Sequence, residues 1–139
     1  MNKYSLVIVE NDEDEQLFMK EAFDASPHFE IVFQARNGDV LFDWLEQKAG
    51  ELPDLILSDL NMPGKNGYDI IKEVGENPGW RNIPVVITST SSTPVIMNRC
   101  LEMGAAAYLI KPDTFLDYEP FVEQLYRLLI ERARHSRQL

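Results

Sequence analysis

Five short apolar runs, rich in β-branched residues, divide the chain: Leu6-Val7-Ile8-Val9, Ile31-Val32-Phe33, Leu55-Ile56-Leu57, Val85-Val86-Ile87 and Ala106-Ala107-Tyr108-Leu109-Ile110. Each is continuous, not alternating, which predicts strands covered on both faces, as in a parallel sheet. The intervening segments carry helical spacing. Leu17, Phe18, Glu21 and Ala22 share a face in the first, and Val40, Leu41, Trp44 and Leu45 in the second. Ile70, Ile71 and Val74 mark the third, Val95, Ile96, Arg99 and Cys100 the fourth. Phe121, Val122, Leu125, Leu128 and Leu129 form the stripe of the last and longest. Asn37-Gly38-Asp39 turns the chain into the second helix, Pro94 suits the first turn of the fourth, and Gly104 its C-terminal cap. Five β/α units with right-handed crossovers make an α/β fold with one open, doubly wound, five-stranded parallel sheet.

The remaining composition narrows the classes of function. At 139 residues, 45% of them hydrophobic, the chain is expected to form one domain over 1–139, with its core at about 4–130 and a basic helix end at 131–139. A chain of this size buries roughly 68–70% of its unfolded surface, so no disulfide or structural metal is needed as a staple. Twenty-three acidic against 13 basic residues leave a net charge of −10, which speaks against a nucleic-acid partner. Cys100 stands alone, excluding an internal disulfide framework and a cysteine-based zinc site. No apolar run approaches the ~20 residues of a membrane span, and the first run is too short for a signal peptide. A cytoplasmic location away from membranes is the expectation.

In such a sheet ligands bind beyond the carboxyl ends of the strands. The first run ends in Glu10-Asn11-Asp12-Glu13-Asp14-Glu15, five carboxylates in six positions. The third ends in Ser58-Asp59-Leu60-Asn61, the fourth in Thr88-Ser89-Thr90, and the fifth in Lys111-Pro112. One edge thus gathers carboxylates, amides, hydroxyls and a single ammonium. Carboxylates meeting at a point repel unless a cation lies among them, and hard oxygen ligands favour Mg2+ over zinc or copper. A lysine and a hydroxyl opposite that cation would seat a phosphoryl group.

With these residues in place, the sequence resembles the receiver domains of two-component response regulators, in particular short stand-alone ones, whose fold is flavodoxin-like. The resemblance rests on Asp54-Leu55-Ile56-Leu57-Ser58-Asp59-Leu60-Asn61-Met62-Pro63-Gly64, Ile83-Pro84-Val85-Val86-Ile87, and Gly104 through Pro112, in order. It implies that Asp59 is the phosphoacceptor, forming a 4-aspartylphosphate, that Lys111 pairs with the phosphoryl group, and that Ser89 donates its hydroxyl to it. Ser89 is selected over Thr88 and Thr90 by family spacing, 30 positions after Asp59 and 22 before Lys111. It further implies that Glu10, Asn11, Asp59 and the backbone carbonyl of Asn61 hold Mg2+. Asp12 is the alternative to Asn11 if the strand ends a residue later. Tyr108 matches an aromatic switch position that moves with Ser89, and the Lys111–Pro112 bond is often cis in the family. The implied partners are a histidine kinase or phosphotransfer protein and a downstream protein target, with the last helix region a candidate homodimer face. No turnover of an external substrate is implied.

One position departs from the family. Two acids usually follow each other at the end of the first strand, whereas here the second is Asn11. A unit charge at ~4 Å is worth about 4 kcal/mol at an effective dielectric of 20, an upper bound once solvent and Asp12 screen it. Weakened, not abolished, Mg2+ binding is expected. The alternative function is a phosphate-independent pseudo-receiver that acts only as an interaction module. Trp44, Trp80 and Cys100 read as packing residues, and His28 and His135 lack partners at metal-ligand spacing.

Overall fold

The computed structural model describes residues 3–48 and 50–137. Five strands, β1 (Tyr4–Val9), β2 (Phe29–Ala35), β3 (Leu55–Asp59), β4 (Val85–Ser89) and β5 (Ala107–Ile110), alternate with five helices. The helices are α1 (Glu13–Asp24), α2 (Gly38–Gln47), α3 (Gly67–Glu76), α4 (Pro94–Glu102) and α5 (Tyr118–Arg137), the last preceded by a single 3-10 turn at Phe115–Asp117. All strand pairs are parallel and the order is β2-β1-β3-β4-β5. This is the doubly wound sheet expected from the five apolar runs. The basic segment 131–137 continues α5; the last two residues of the chain lie outside the described ones.

The continuous runs divide their side chains between two cores, as a pleat of period two demands. Val7, Val9 and Ile56 point toward α2, α3 and α4, where Leu41, Leu45, Ile70, Val74 and Cys100 meet them. Leu6, Ile8, Leu55 and Leu57 point the other way, onto Met19 and Phe23 of α1 and Phe121, Val122, Leu125 and Leu129 of α5. The stripes expected on the third and fifth helices are the buried ones, with Leu128 half-buried, while on the second Leu41 and Leu45 are buried, Phe42 joins them, and Val40 and Trp44 are half-buried. Two stripes need correction. On α1 the buried residues are Met19 and Phe23, flanked by half-buried Phe18 and Ala22, while Glu21 is exposed and Leu17 is 51% exposed. Leu17 lies two residues, or about 200°, from Met19, so seating Met19 against the sheet turns it outward. On α4 only Cys100 is buried; Val95 and Arg99 face solvent, and Arg99 caps the Tyr68 ring at 4.5 Å.

Local chemistry sets the loops that carry the site. The Asn37 side chain caps α2 by accepting from the Val40 N–H, and Asn66 and Asp69 form a reciprocal capping box at α3. Pro94 occupies the first turn of α4 and Gly104, at φ 115°, ends it. Gly67 has a different reason to be glycine. A Cβ there would stand 2.8 Å from the Leu60 Cα and 3.0 Å from the Asp59 carbonyl, so only glycine lets α3 start against the loop leaving β3.

Candidate functional site

Strand order reverses between β1 and β3, and a doubly wound sheet opens a crevice above such a point. Glu10 leaves β1 there, Asp59 ends β3, Ser89 ends β4, and Lys111 follows β5. The four residues read from the sequence as one constellation are therefore brought to one edge. Lys111 lies at its centre. Its Nζ is 2.8 Å from Glu10 Oε1 and 3.3 Å from Asp59 Oδ1, and it also contacts Glu15 Oε2. The second oxygen of Glu10 accepts from the Asp12 N–H at 3.1 Å, and the Lys111 N–H donates to the Ser89 carbonyl at 2.8 Å.

These charges are largely withdrawn from water: Glu10 is 1% exposed, Asp59 6% and Lys111 9%. Burial pushes Glu10 up to about 7, Glu15 pushing the same way and Lys111 opposing. Burial also raises Asp59, against Lys111. For Lys111, burial acts to lower its pKa, but the hydrogen bonds to Glu10 and Glu15 outweigh it and hold the ammonium well above its ordinary range. Fully ionised, the three carboxylates would outnumber the ammonium by two charges, and burial with their mutual repulsion pushes Glu10 and Asp59 up. A divalent cation would balance that excess.

The donor set fits such an ion, since Mg2+ keeps several waters and needs only one or two protein carboxylates. Among the described residues no three Asp, Glu, His or Cys side chains form a metal-binding group. Glu10 and Asp59 would therefore be supplemented by the Asn61 carbonyl, the Asn11 amide and water. Asn11 is exposed, on the rim of a groove shared with Glu13, Gln16, Gln34, Arg36 and Val40. Asp12 is not an equivalent alternative: it is the N-cap of α1, its carboxylate accepting from the Glu15 N–H at 3.0 Å.

Ser89 is 1% exposed, its Oγ accepting from the Ser91 N–H at 3.2 Å. Tyr108, 9% exposed, donates its hydroxyl to the Ser91 carbonyl at 2.8 Å, which ties the loop after β4 to β5. The neighbouring Thr88 hydroxyl is buried without a partner. All peptide bonds among the described residues are trans, so the expectation of a cis Lys111–Pro112 bond is not met.

Two residues at this edge escaped the sequence reading. Glu15 is one, hidden in a run of five acids. Its signal was the helical period: Glu15 stands three and seven residues before Phe18 and Ala22, the half-buried flank of α1. Tyr118 is the other. It is 2% exposed, its hydroxyl is without a partner, and burial followed by the Glu15 charge pushes it up to about 12.

An open parallel sheet with a buried aspartate and lysine at its carboxyl edge defines a class of doubly wound α/β domains. The comparisons with known proteins place the chain within it: residues 6–117 match the response regulator receiver domain, and the chain belongs to that family. The two-component response regulator ARR5 of Arabidopsis thaliana is 35% identical over 89 residues, 62% of this chain and 48% of its own length. The chain spans between about a quarter and a half of the curated plant relatives it matches. Among solved structures, the Mn(2+)-bound form of the response regulator Rcp1 superposes with a TM-score of 0.76 at 27% identity, covering 88% of this chain and 91% of that one. The phosphorylated cyanobacterial phytochrome response regulator RcpA gives 0.77 at 26% identity, covering 89% and 91%. Receiver domains are signalling domains, not typical substrate-turnover enzymes. Among the described residues no helix is long and apolar enough to cross a membrane.

Proposed function

We propose that the chain is an Mg2+-dependent receiver that takes a phosphoryl group onto Asp59 from a histidine kinase or phosphotransfer protein. The observation that carries this is the 3.3 Å approach of the Lys111 ammonium to the Asp59 carboxylate, at an edge where that carboxylate keeps a small opening. An Asp59 oxygen attacks phosphorus as the P–N bond of the donor breaks; the imidazole nitrogen keeps the bonding pair and takes up a proton. Little covalent help is needed beyond alignment and neutralisation of the equatorial oxygens. Lys111 turns from Asp59 to a phosphoryl oxygen and Ser89 donates to another. Bound at Glu10, Asp59, the Asn61 carbonyl and the Asn11 amide, Mg2+ would neutralise part of the phosphoryl charge.

The acyl phosphate adds about −1.5 to −2 charge at the edge. Ser89 answers to it, and the Ser91 carbonyl bonded to Tyr108 supports a path from there to β5. Output then passes to a downstream protein through the surface of α4, β5 and α5, the last helix also being the candidate homodimer face. A cytoplasmic location goes with such partners.

Incubation with acetyl phosphate and Mg2+, followed by Phos-tag electrophoresis, tests this reading. A retarded band is expected, lost in Asp59→Asn and on chelation of the metal. No band in the unaltered protein would leave the phosphate-independent interaction module in its place. Calorimetric titration should show Asn11→Asp binding Mg2+ about tenfold more tightly, well inside the Coulomb bound for one added charge.

A further inference from the structure

Lys111 has three N–H donors. In this structure three carboxylates crowd its ammonium as ion pairs: Glu10 at 2.8 Å, Asp59 at 3.3 Å, and Glu15 in direct contact. Glu10 and Asp59 belong to the phosphoryl-accepting edge itself. Glu15 reaches the same edge from the first turn of α1, held there by the Asp12 side chain on its backbone N–H. A phosphoryl group on Asp59 would draw the ammonium away and leave Glu15 a half-buried carboxylate with no cation. A replacement partner packs against the same helix. Phe18, one turn along the same face of α1, packs on the Tyr118 ring with centroids 6.3 Å apart. The Tyr118 hydroxyl is buried, without a partner, and within the influence of the Glu15 charge. An orphaned buried hydroxyl is a donor still lacking an acceptor.

We propose that Glu15 is a positioning residue with two partners: it holds Lys111 while Asp59 is unmodified and passes to the Tyr118 hydroxyl once Lys111 engages a phosphoryl group. Occupancy of the site would thereby reach the start of α5 through α1, separately from Ser89 and Tyr108. The proposal rests on Asp59 as the acceptor. It adds that the resting state is held by a competing acid, which must be displaced before the ammonium is free.

Two variants and two readouts test it on the full chain. The first readout is the rate of reductive methylation of the Lys111 amine, followed by mass spectrometry with no phosphoryl donor present. Glu15→Gln keeps the shape and removes the charge, and should raise that rate severalfold; Tyr118→Phe should leave it unchanged. The second readout is affinity for beryllofluoride with Mg2+. Glu15→Gln should tighten it several-fold, because a rival for Lys111 and a negative charge leave together. Tyr118→Phe should weaken it about fivefold, the weight of one hydrogen bond. Equal methylation rates in Glu15→Gln and the unaltered protein would overturn the hold on Lys111 by themselves. Beryllofluoride affinity unmoved by Tyr118→Phe would overturn the hand-over. An unaltered protein that neither takes beryllofluoride nor labels with acetyl phosphate would remove the acceptor reading and the hand-over with it, while the methylation rates would still judge the resting contact.

Discussion

The two ends of the sheet are built on opposite terms. At the amino end the chain closes its polar groups locally. The Ser5 N–H donates to Asp54 Oδ2 at 2.7 Å, and the Asp54 N–H bonds the Ser5 hydroxyl and carbonyl at 2.9 Å. Aromatic rings then cover the edge: His28 stacks on Tyr126 with centroids 3.7 Å apart, and Tyr4 and Phe29 meet the same ring. At the carboxyl end three acids share one ammonium, and the Thr88 and Tyr118 hydroxyls have no partner. One end satisfies its groups and stabilises the fold; the other keeps like charges together around one cation. Local rules are broken where a protein acts.

The largest test of that contrast is Lys111→Met. Removing the shared cation leaves buried carboxylates facing each other, and a broken buried pair of this kind costs about 3–5 kcal/mol. Urea unfolding at neutral pH, without divalent metal, should show that loss with an unchanged m-value. A loss under 1 kcal/mol would mean that water, not Lys111, neutralises the acids. At the amino end, Asp54→Ala removes an acceptor that closes a loop onto β1 and should cost about 1–2 kcal/mol. Its effect on acetyl phosphate labelling should be nil.

Asp59→Asn should move stability in the other direction. Burial raises the Asp59 pKa, so the folded state resists its charged form, and at pH 7 the neutral amide is the better tenant. An increase of about 1 kcal/mol, some 3–5 °C in melting temperature, is expected for a domain of this size. Added Mg2+ should erase the difference by stabilising the unaltered protein alone. Destabilisation by Asp59→Asn in metal-free buffer would mean that the carboxyl end is satisfied after all, and the contrast between the ends would fail.

The degree to which the sequence announced each end follows from the same contrast. The five strands and their order of alternation with helices were legible because both-sided burial forces uninterrupted apolar runs, and Ile56 or Leu57 has nowhere else to go. The Glu10, Asp59, Ser89 and Lys111 edge was legible because a polar residue directly after such a run must lie at the strand's carboxyl end. Cys100, read as a small apolar filler, is fully buried with its thiol pushed up by burial. Glu15 was not legible as a partner of Lys111, since five neighbouring acids offer no compositional difference and only the angular seating of α1 selects one. The same seating misled the stripe through Leu17. Tyr118 lies beyond any strand end, and its role depends on how α5 leans on α1, a tertiary relation with no local code.

The smallest expected effect bears most directly on whether the two ends are independent. His28 and Tyr126 lie nearly parallel, 4° apart, with Tyr4 and Phe29 edge-on around the Tyr126 ring. The stack pins the loop after α1 to α5, the helix whose first residue is Tyr118. An aromatic pair of this kind is worth about 0.5–1.5 kcal/mol beyond the area it buries. His28→Ala should lower the melting temperature by a few degrees and His28→Phe should restore it, since stacking and not charge is the contribution. Neither variant should change the rate of acetyl phosphate labelling, because α5 is separately fixed to the sheet by Phe121, Val122, Leu125 and Leu129. A change in labelling rate with His28→Ala that His28→Phe reverses would show that α5 transmits its position along its length, and that the stabilising end of the sheet also sets the reactive one.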